Sequence, residues 1–336
     1  MEIRKIQKTG GSSFIVSLPK DWVTGNNLKE QSKVGLISRK DGTLLVVPYL
    51  EKGHRKKEKE IKVDNIVNMD FFYRLLVGAY IMGYNIIYIT SKERISPDIK
   101  ETARKFIRDA IGLEIMEETH ESLSIKDLLN PSETRFNDWI ERLGNLVITQ
   151  LEDIFQAIEK KDERLSREVI TRDAEVNRIH WLILRQHNIL QRDLLLSEQV
   201  QEGEKQDANF TIITRIIESL GDHAVRIARN NLALIPKEID RGILDIITNA
   251  GKTAIRIFKT SIDAFFNDDI YHANQNLEAI KKFVESCEKL ENAALELDIK
   301  EGLHIGYIAE SIRRIGEYSG DLAEYIINYL TDKSKF

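Results

Sequence analysis

The spacing of apolar residues divides the chain into regions of different secondary structure. Residues 1–50 alternate apolar and polar side chains between turn signals, residues 61–130 change between a period of two and a helical period, and residues 132–336 keep a helical period almost throughout. These periods predict strands and amphipathic helices, respectively. We therefore predict three domains, a β domain, a small α/β domain and an all-α domain, in an α+β multidomain chain with a charged linker over 51–60.

Turn signals in the first region predict hairpins. Asp41-Gly42 lies between two apolar runs, and Thr9-Gly10-Gly11 interrupts the first alternating segment. Asp-Gly between apolar runs is a strong signal for a two-residue hairpin turn. Because a β module of roughly 50 residues buries little apolar surface by itself, we expect this domain to form a homodimer.

The second region predicts the order strand, helix, strand, helix, strand, strand. Its first helix begins at Met69 or Asp70 and ends at Gly83, and its second begins with the pair Ser96-Pro97 and ends at Gly112. Serine is a preferred N-cap, proline is tolerated at the first helical position, and glycine commonly ends a helix. This domain shows no arrangement of catalytic residue types.

Six long helices are predicted in the third region, over 133–160, 163–193, 206–233, 239–266, 269–297 and 303–331. The segment Ile216–Leu232 in the third helix resembles Ser311–Leu330 in the sixth, so we predict two three-helix repeats over 132–235 and 238–331. Short connections favour antiparallel neighbours in a bundle. Because glycine inside a helix costs about 1 kcal/mol relative to alanine, Gly221 and Gly316 in the repeated segments should each have a packing or functional reason.

Carboxylates on the third helix are candidates for metal binding. Glu218 and Asp222 are one turn apart and lie nearly opposite the apolar stripe, so we expect them to face solvent. Oxygen ligands at this spacing suit a hard metal ion, and Asp173 and Asn177, also at i and i+4, are candidates to complete the set.

A different interpretation of the same acids is an ordinary helix surface. Glu218 follows Arg215 by three positions and Asp222 precedes Arg226 by four, which is the spacing of helix ion pairs. In the sixth helix, Arg313 and Glu317 occupy the places of Glu218 and Asp222, so a side-chain cation could replace a metal there.

Charge is unevenly distributed along the chain, whose formal net charge is −5. Residues 1–60 contain 13 Lys and Arg against 7 Asp and Glu, and the remainder has a net charge of −11. A basic first domain suggests an anionic partner. The N-terminus has no apolar signal core, and a single cysteine, Cys287, fits a reducing compartment, so we expect a cytoplasmic protein.

The first domain resembles the AbrB/SpoVT module. The similarity lies in Lys8–Trp22 and Val34–Pro48, whereas Gln31-Ser32 departs from the Gly-Asp that this family usually has before its second hairpin. The resemblance implies a swapped-hairpin β-barrel made by two chains, which often presents basic residues to DNA. The corresponding candidates for DNA binding are Arg4, Lys5, Lys8, Lys20, Arg39 and Lys40.

The helical region resembles the PhoU phosphate-uptake regulator domain, which has a Glu-x-x-x-Asp motif on the third helix of each repeat. Arg172–Trp181 and Glu218–Ala228 fit the first repeat. Arg313–Glu324 has the spacing of the second repeat, but Arg313 stands where the motif has its first acid. The resemblance implies a divalent or iron ion at Asp173, Asn177, Glu218 and Asp222, and extends less well to Glu317 and Asp321. The domain order resembles that of archaeal PhoU-type proteins.

These resemblances imply a regulator of phosphate uptake that is not an enzyme. The leading hypothesis is a DNA-binding transcriptional regulator whose helical domain senses or docks. The alternative is a protein without DNA binding that contacts the ATPase subunit of a phosphate transporter or a sensor kinase. A metal-dependent hydrolase is a third hypothesis, disfavoured because no general base can be named.

Overall fold

The computed structural model describes residues 2–39, 42–48, 57–130, 135–193, 196–197 and 210–333. The chain separates into two compact units, Met1–Arg55 and Lys56–Phe336. The second unit contains two hydrophobic clusters of buried residues, one in the α/β region and one in the helical bundle.

The first unit consists of two hairpins and a short helix. Its elements are β1 (Gln7–Thr9), β2 (Ser13–Ile15), α1 (Lys20–Gly25), β3 (Gly35–Ser38) and β4 (Leu44–Val47). β1 pairs with β2 and β3 with β4, both antiparallel, so the predicted hairpins are confirmed. The turn between β3 and β4 includes Gly42 at φ +82°, a conformation that glycine adopts without strain.

The predicted barrel is not closed in the described residues of this single chain. The four strands form two separate two-stranded sheets, and no described residue of the unit is buried. Large apolar side chains are therefore exposed, among them Phe14 at 70% and Leu36 at 63%. The predicted barrel needs two chains, so it stays a prediction, and the strands of one chain leave these apolar faces uncovered.

The α/β region has the predicted order of elements. These are β5 (Glu58–Lys62), α2 (Met69–Ile81), β6 (Ile86–Thr90), α3 (Pro97–Asp109), β7 (Leu113–Glu118) and β8 (Ser122–Asp127). The sheet order is β5-β6-β8-β7, with β5 and β6 parallel and the other pairs antiparallel. Buried side chains from both helices, including Phe72 and Phe106, pack with Ile87 and Ile89 of the sheet. Asn68 is the N-cap of α2, one residue before the predicted start.

The helical bundle contains six long helices among the described residues. They are α4 (Phe136–Lys160), α5 (Glu163–Leu190), α6 (Phe210–Leu234), α7 (Arg241–Asn267), α8 (Ile270–Leu295) and α9 (Ile299–Lys333). The bounds agree with the predictions to within a few residues, although the predicted starts of the first and third helices lie outside the described residues. Asp162, Asp240 and Asp269 are N-caps whose side chains accept backbone N–H bonds.

Both glycines of the repeated segment lie where helices pack closely. A Cβ at Gly221 would be 3.3 Å from Val176 Cγ1 of α5, and one at Gly316 would be 2.2 Å from Phe283 Cε1 of α8. In each repeat, the glycine of the third helix therefore faces the second helix. This packing explains why both helices keep a residue that is otherwise unfavourable in a helix.

The replacement Gly316→Ala is expected to destabilise the bundle by about 1–3 kcal/mol, because the fully packed Phe283 ring must move to admit the methyl group. Gly306→Ala in the same helix is the matched control, since its Cβ would meet nothing within 4 Å and should be neutral or stabilising by up to about 1 kcal/mol. Urea denaturation of both variants tests this. Equal midpoints would show that Gly316 is not required for packing.

A buried arginine connects the α/β region to the bundle. Arg185 of α5 is fully buried, and its Nε and Nη2 donate to Asp127 Oδ2 at 3.2 and 2.5 Å. Its Nη1 donates to the Tyr80 carbonyl at 2.6 Å, and Asn188 Nδ2 donates to the Ile81 carbonyl at 3.0 Å. Arg192 donates to the Met82 carbonyl. Side chains at the C-terminal end of α5, and of Arg192 just beyond it, thus donate to carbonyls at the C-terminal end of α2, where a helix leaves carbonyls without an intrahelical partner.

Candidate functional site: an acidic cluster in the first helical repeat

The predicted metal ligands come together between α5 and α6. We call Asp173, Asn177, Glu218 and Asp222 the acidic cluster. The one-turn spacing places Asp173 beside Asn177, whose Nδ2 donates to Asp173 Oδ2 at 3.0 Å and to the Asp173 carbonyl at 3.1 Å. The amide therefore fixes one oxygen of that carboxylate.

The expectation that both acids of α6 face solvent is wrong for Glu218. Asp222 is exposed, but Glu218 is only 8% exposed. α6 packs against α4, α5 and α9, so its buried sector is wider than its apolar stripe. Glu218 lies at the edge of that sector and loses much of its hydration.

Two buried carboxylate oxygens of the cluster have no hydrogen-bond partner, Asp173 Oδ1 and Glu218 Oε2. Arg215 Nη1 lies 3.1 Å from Glu218 Oε2 but directs its hydrogen bond to Oε1 at 3.3 Å. The predicted Arg215–Glu218 ion pair is therefore present. Buried acceptors without partners are uncommon in folded proteins and indicate a missing donor, water or ion.

The pKa values of the three acids are raised together. Burial raises the pKa of Glu218 to about 7, with Asp222 adding to the shift and Arg215 opposing it. Burial also raises the pKa of Asp173, again with help from Asp222, and burial raises that of Asp222 against the pull of Arg215 and Arg229. Burial therefore accounts for most of these shifts, and repulsion between the acids adds to those of Glu218 and Asp173.

The donor set fits a hard cation, although the geometry is not preformed. Carboxylate and amide oxygens are the ligands that such ions prefer, and the unpartnered oxygens leave acceptor capacity unused. Among the residues whose positions are described, no three His, Cys, Asp or Glu side chains are arranged to hold a metal together. Closing a coordination shell therefore requires side-chain rotation.

The second repeat has a guanidinium in the corresponding place. Arg313 Nη1 lies 3.1 Å from Glu317 Oε1, its Nε lies 3.2 Å from Glu291 Oε1, and its Nη2 pairs with Glu310. Arg314 also contacts Glu310 and Glu317, each at 3.0 Å. Two arginines thus pair with the three carboxylates around this position and compensate most of their charge.

The pKa values differ accordingly between the repeats. Burial alone would raise the pKa of Glu310, but hydrogen bonds from Arg313 and Arg314 lower it below its usual value. Asp321 is exposed, and burial, then Glu324 and Glu317, raise its pKa. The donor set around Glu317 does not fit a metal, because Arg313 occupies its carboxylate.

The predicted DNA-binding residues lie on the surface of the first unit. Arg4, Lys5, Lys8 and Lys20 are exposed and Arg39 is half-buried, whereas Lys40 lies outside the described residues. Arg4 Nη1 donates to Ser17 Oγ at 3.2 Å and pairs with Glu2, so one of these cations is already partly compensated.

Sequence reasoning missed the acids that hold Arg313. Glu310 lies three residues before Arg313 and four before Arg314, a spacing that could have indicated an ion pair. Glu291 belongs to α8, and its approach depends on how α8 packs against α9, which no local pattern shows.

No helix in the described ranges is both long and apolar enough to cross a lipid bilayer. The fold is a helix-rich α+β chain with a bundle of two helical repeats, and its candidate site is an acidic cluster on the first repeat. Two family models match parts of this chain. The PhoU domain matches residues 140–230, and the family described as "Antidote-toxin recognition MazE, bacterial antitoxin" matches residues 7–53.

Curated relatives carry PhoU names. A phosphate-specific transport system accessory protein PhoU homolog of Clostridium acetobutylicum is 22% identical over 199 residues, covering 57% of this chain and 89% of that protein. The PhoU accessory protein of Edwardsiella tarda is 23% identical over 200 residues, covering 56% and 78%. PhoU of Pseudomonas aeruginosa, a solved structure, has 21% identity and a TM-score of 0.49, with 59% of this chain and 96% of that one covered. The archaeal origin suggested by the domain order stays a prediction.

Proposed function

We propose that this chain is an accessory regulator of phosphate transport. The observation that supports the proposal most is the PhoU-domain match over residues 140–230, which includes the whole acidic cluster. The names of the curated relatives agree with it, since they describe accessory proteins of phosphate-specific transport systems.

The acidic cluster is proposed to hold a divalent or iron ion. Asp173, Glu218 and Asp222 would contribute carboxylate oxygens, and Asn177 would contribute its amide oxygen. The unpartnered Asp173 Oδ1 and Glu218 Oε2 support this assignment. A bound cation would supply the positive charge that keeps these carboxylates ionised. Asn177 would continue to orient Asp173 through its hydrogen bond.

The first unit is proposed to dimerise and bind DNA. Its exposed apolar side chains, including Phe14 and Leu36, support a second copy as the surface that covers them. Its exposed lysines and arginines support contact with DNA phosphates, which releases counterions and gives salt-dependent affinity. Lys5, Lys8 and Lys20 are the candidates that carry no ion pair among the described residues.

The alternative function is regulation by protein contact alone. The net charge of −11 beyond residue 60 supports docking on a basic surface, such as one on the ATPase subunit of a phosphate transporter or on a sensor kinase. In that case the first unit would serve only to dimerise the chain, and its basic residues would be a solvated surface.

DNA affinity and its dependence on salt distinguish these functions. We expect the full-length protein to bind a duplex from upstream of a phosphate-transport operon, with an affinity that falls steeply between 50 and 200 mM salt. Lys8→Ala/Lys20→Ala should weaken binding at least about tenfold and reduce the slope of log affinity against log salt by about 2. Fluorescence anisotropy with a labelled duplex measures both quantities.

The matched control is Lys29→Ala/Lys33→Ala, which removes two exposed lysines of the same unit outside the predicted set. It should change the affinity by no more than about twofold. Absence of binding by the unaltered protein at 50 mM salt would exclude the DNA-binding function and leave the protein-contact alternative.

A further inference from the structure

A basic groove lies along α3 of the α/β region, and none of its lining residues belongs to the acidic cluster. It encloses about 690 Å³. Its floor includes Ile95 and Pro97, and its charged residues are Arg94, Lys100, Glu101, Arg104, Arg108 and Glu118. Four cations and two acids leave the groove with a net charge of +2.

The charge is not neutralised within the groove. Lys100 Nζ lies 2.8 Å from Glu118 Oε1 and Arg104 Nη2 lies 2.9 Å from Glu118 Oε2, so one carboxylate serves two cations. Among the described residues, the side chains of Arg94 and Arg108 have no hydrogen-bond or ion-pair partner. Two guanidiniums are therefore available to a ligand.

The cations form an elongated array. Lys100, Arg104 and Arg108 are spaced at i, i+4 and i+8, so they follow one face of α3 over about 12 Å. Arg94 adds a fourth cation from the segment between β6 and α3. A guanidinium matches the geometry of phosphoryl oxygens and binds them through paired N–H donors. An array of this length fits an anion whose charge is distributed along a chain better than a single tetrahedral ion.

We propose that this groove binds a small anion with a chain of linked phosphoryl groups, which either inorganic tripolyphosphate or a nucleoside triphosphate provides. Arg94 and Arg108 contact its two ends, while Lys100 and Arg104 exchange part of their bonding to Glu118 for its oxygens. A small anion is favoured over nucleic acid because the chain beyond residue 60 has a net charge of −11, which repels a long polyanion. The proposal gives the α/β region a ligand of its own, separate from the proposed metal and DNA sites.

Isothermal titration of the full-length protein at 50 mM NaCl tests the proposal, with tripolyphosphate, ATP and orthophosphate as probes. We expect tripolyphosphate to bind at least about tenfold more tightly than orthophosphate. Arg94→Ala/Arg108→Ala should reduce its affinity at least about tenfold, because two charge-assisted contacts are lost. If ATP binds as tightly as tripolyphosphate, or more tightly, a nucleoside triphosphate is identified as a ligand that supplies the linked phosphoryl groups. Weaker ATP binding identifies the inorganic form.

The matched control is Arg74→Ala/Lys105→Ala, which removes two cations of the same region that do not line the groove. It should retain affinity for tripolyphosphate to within about twofold. Because Arg94 and Arg108 are exposed, their replacement should leave the thermal unfolding midpoint unchanged, and DNA binding by the first unit should also persist. The proposal is overturned if tripolyphosphate does not bind, or if orthophosphate binds with equal affinity. It is also overturned if both double variants lose the same affinity for tripolyphosphate, or if a DNA duplex displaces tripolyphosphate at a lower concentration than ATP does.

Discussion

Arg185→Ala is expected to lower the free energy of unfolding by about 3–5 kcal/mol, because it leaves the carboxylate of Asp127 buried without its countercharge. The side chains of Arg185 and Asp127 are 0% and 1% exposed. The same replacement removes the donor to the Tyr80 carbonyl at the end of α2. Urea denaturation followed by circular dichroism measures the loss, and hydrogen exchange in β8 and α2 shows whether the α/β region opens first.

A control and a compensating variant separate loss of charge pairing from loss of contact area. Arg192→Ala removes the bond from a residue just beyond α5 to the Met82 carbonyl just beyond α2, but Arg192 is exposed, so the cost should be below about 1 kcal/mol. Replacing both partners with apolar residues, as Arg185→Met/Asp127→Leu, should recover most of the stability. If the free energy of unfolding of Arg185→Ala is within about 1 kcal/mol of that of the unaltered protein, the Arg185–Asp127 pair does not stabilise this interface.

Local signals made most of the fold predictable. Ser96-Pro97 gave the start of α3 because N-capping and the fixed φ of proline act within a few residues. Gly83 and Gly112 were predicted to end α2 and α3, and both have positive φ values, which glycine adopts readily after a helix. The barrel of two chains stays a prediction, because hairpin signals are local whereas closure depends on what covers Phe14 and Leu36.

Features that depend on helix packing were harder to predict from the sequence. The one-turn spacing of Glu218 and Asp222 was visible, yet the burial of Glu218 depends on three neighbouring helices. Arg185 falls among apolar positions of α5, and nothing in its local sequence indicates that Asp127, 58 residues earlier, is its partner. No regular spacing in the sequence indicates the two partners of a long-range ion pair of this kind.

Glu218 should contribute less to the stability of the metal-free protein as the pH rises. Its pKa is about 7 in the folded protein against 4.5 ordinarily, so the folded state keeps a proton that the unfolded state releases. The contribution of Glu218 to the free energy of unfolding should therefore decrease between about pH 4.5 and pH 7 and then level off. A pKa unit corresponds to about 1.4 kcal/mol, and screening by solvent around the exposed Asp222 and Arg215 reduces the total to about 2 kcal/mol.

Two histidines act in the opposite direction, so the contribution of Glu218 must be measured as a difference. Burial lowers the pKa values of His180 and His223 to about 4, and nearby arginines add to both shifts. The unfolded state then takes up protons below about pH 6.5 that the folded state does not, which removes stability as the pH falls. Subtracting the profile of Glu218→Gln from that of the unaltered protein cancels this common effect.

The difference profile also tests the proposed cation site. In EDTA, Glu218→Gln should match the unaltered protein at pH 4.5 and exceed it by about 2 kcal/mol at pH 8. Millimolar MgCl₂ or MnCl₂ at pH 8 should stabilise the unaltered protein but not Glu218→Gln, because a cation binds the ionised carboxylate. Glu310→Gln is the matched control: Arg313 and Arg314 compensate Glu310, so its replacement should destabilise the protein at pH 8 and leave the response to cations intact. Equal cation responses in the unaltered protein and Glu218→Gln would exclude the metal site, and a flat difference profile would exclude the buried, protonated Glu218.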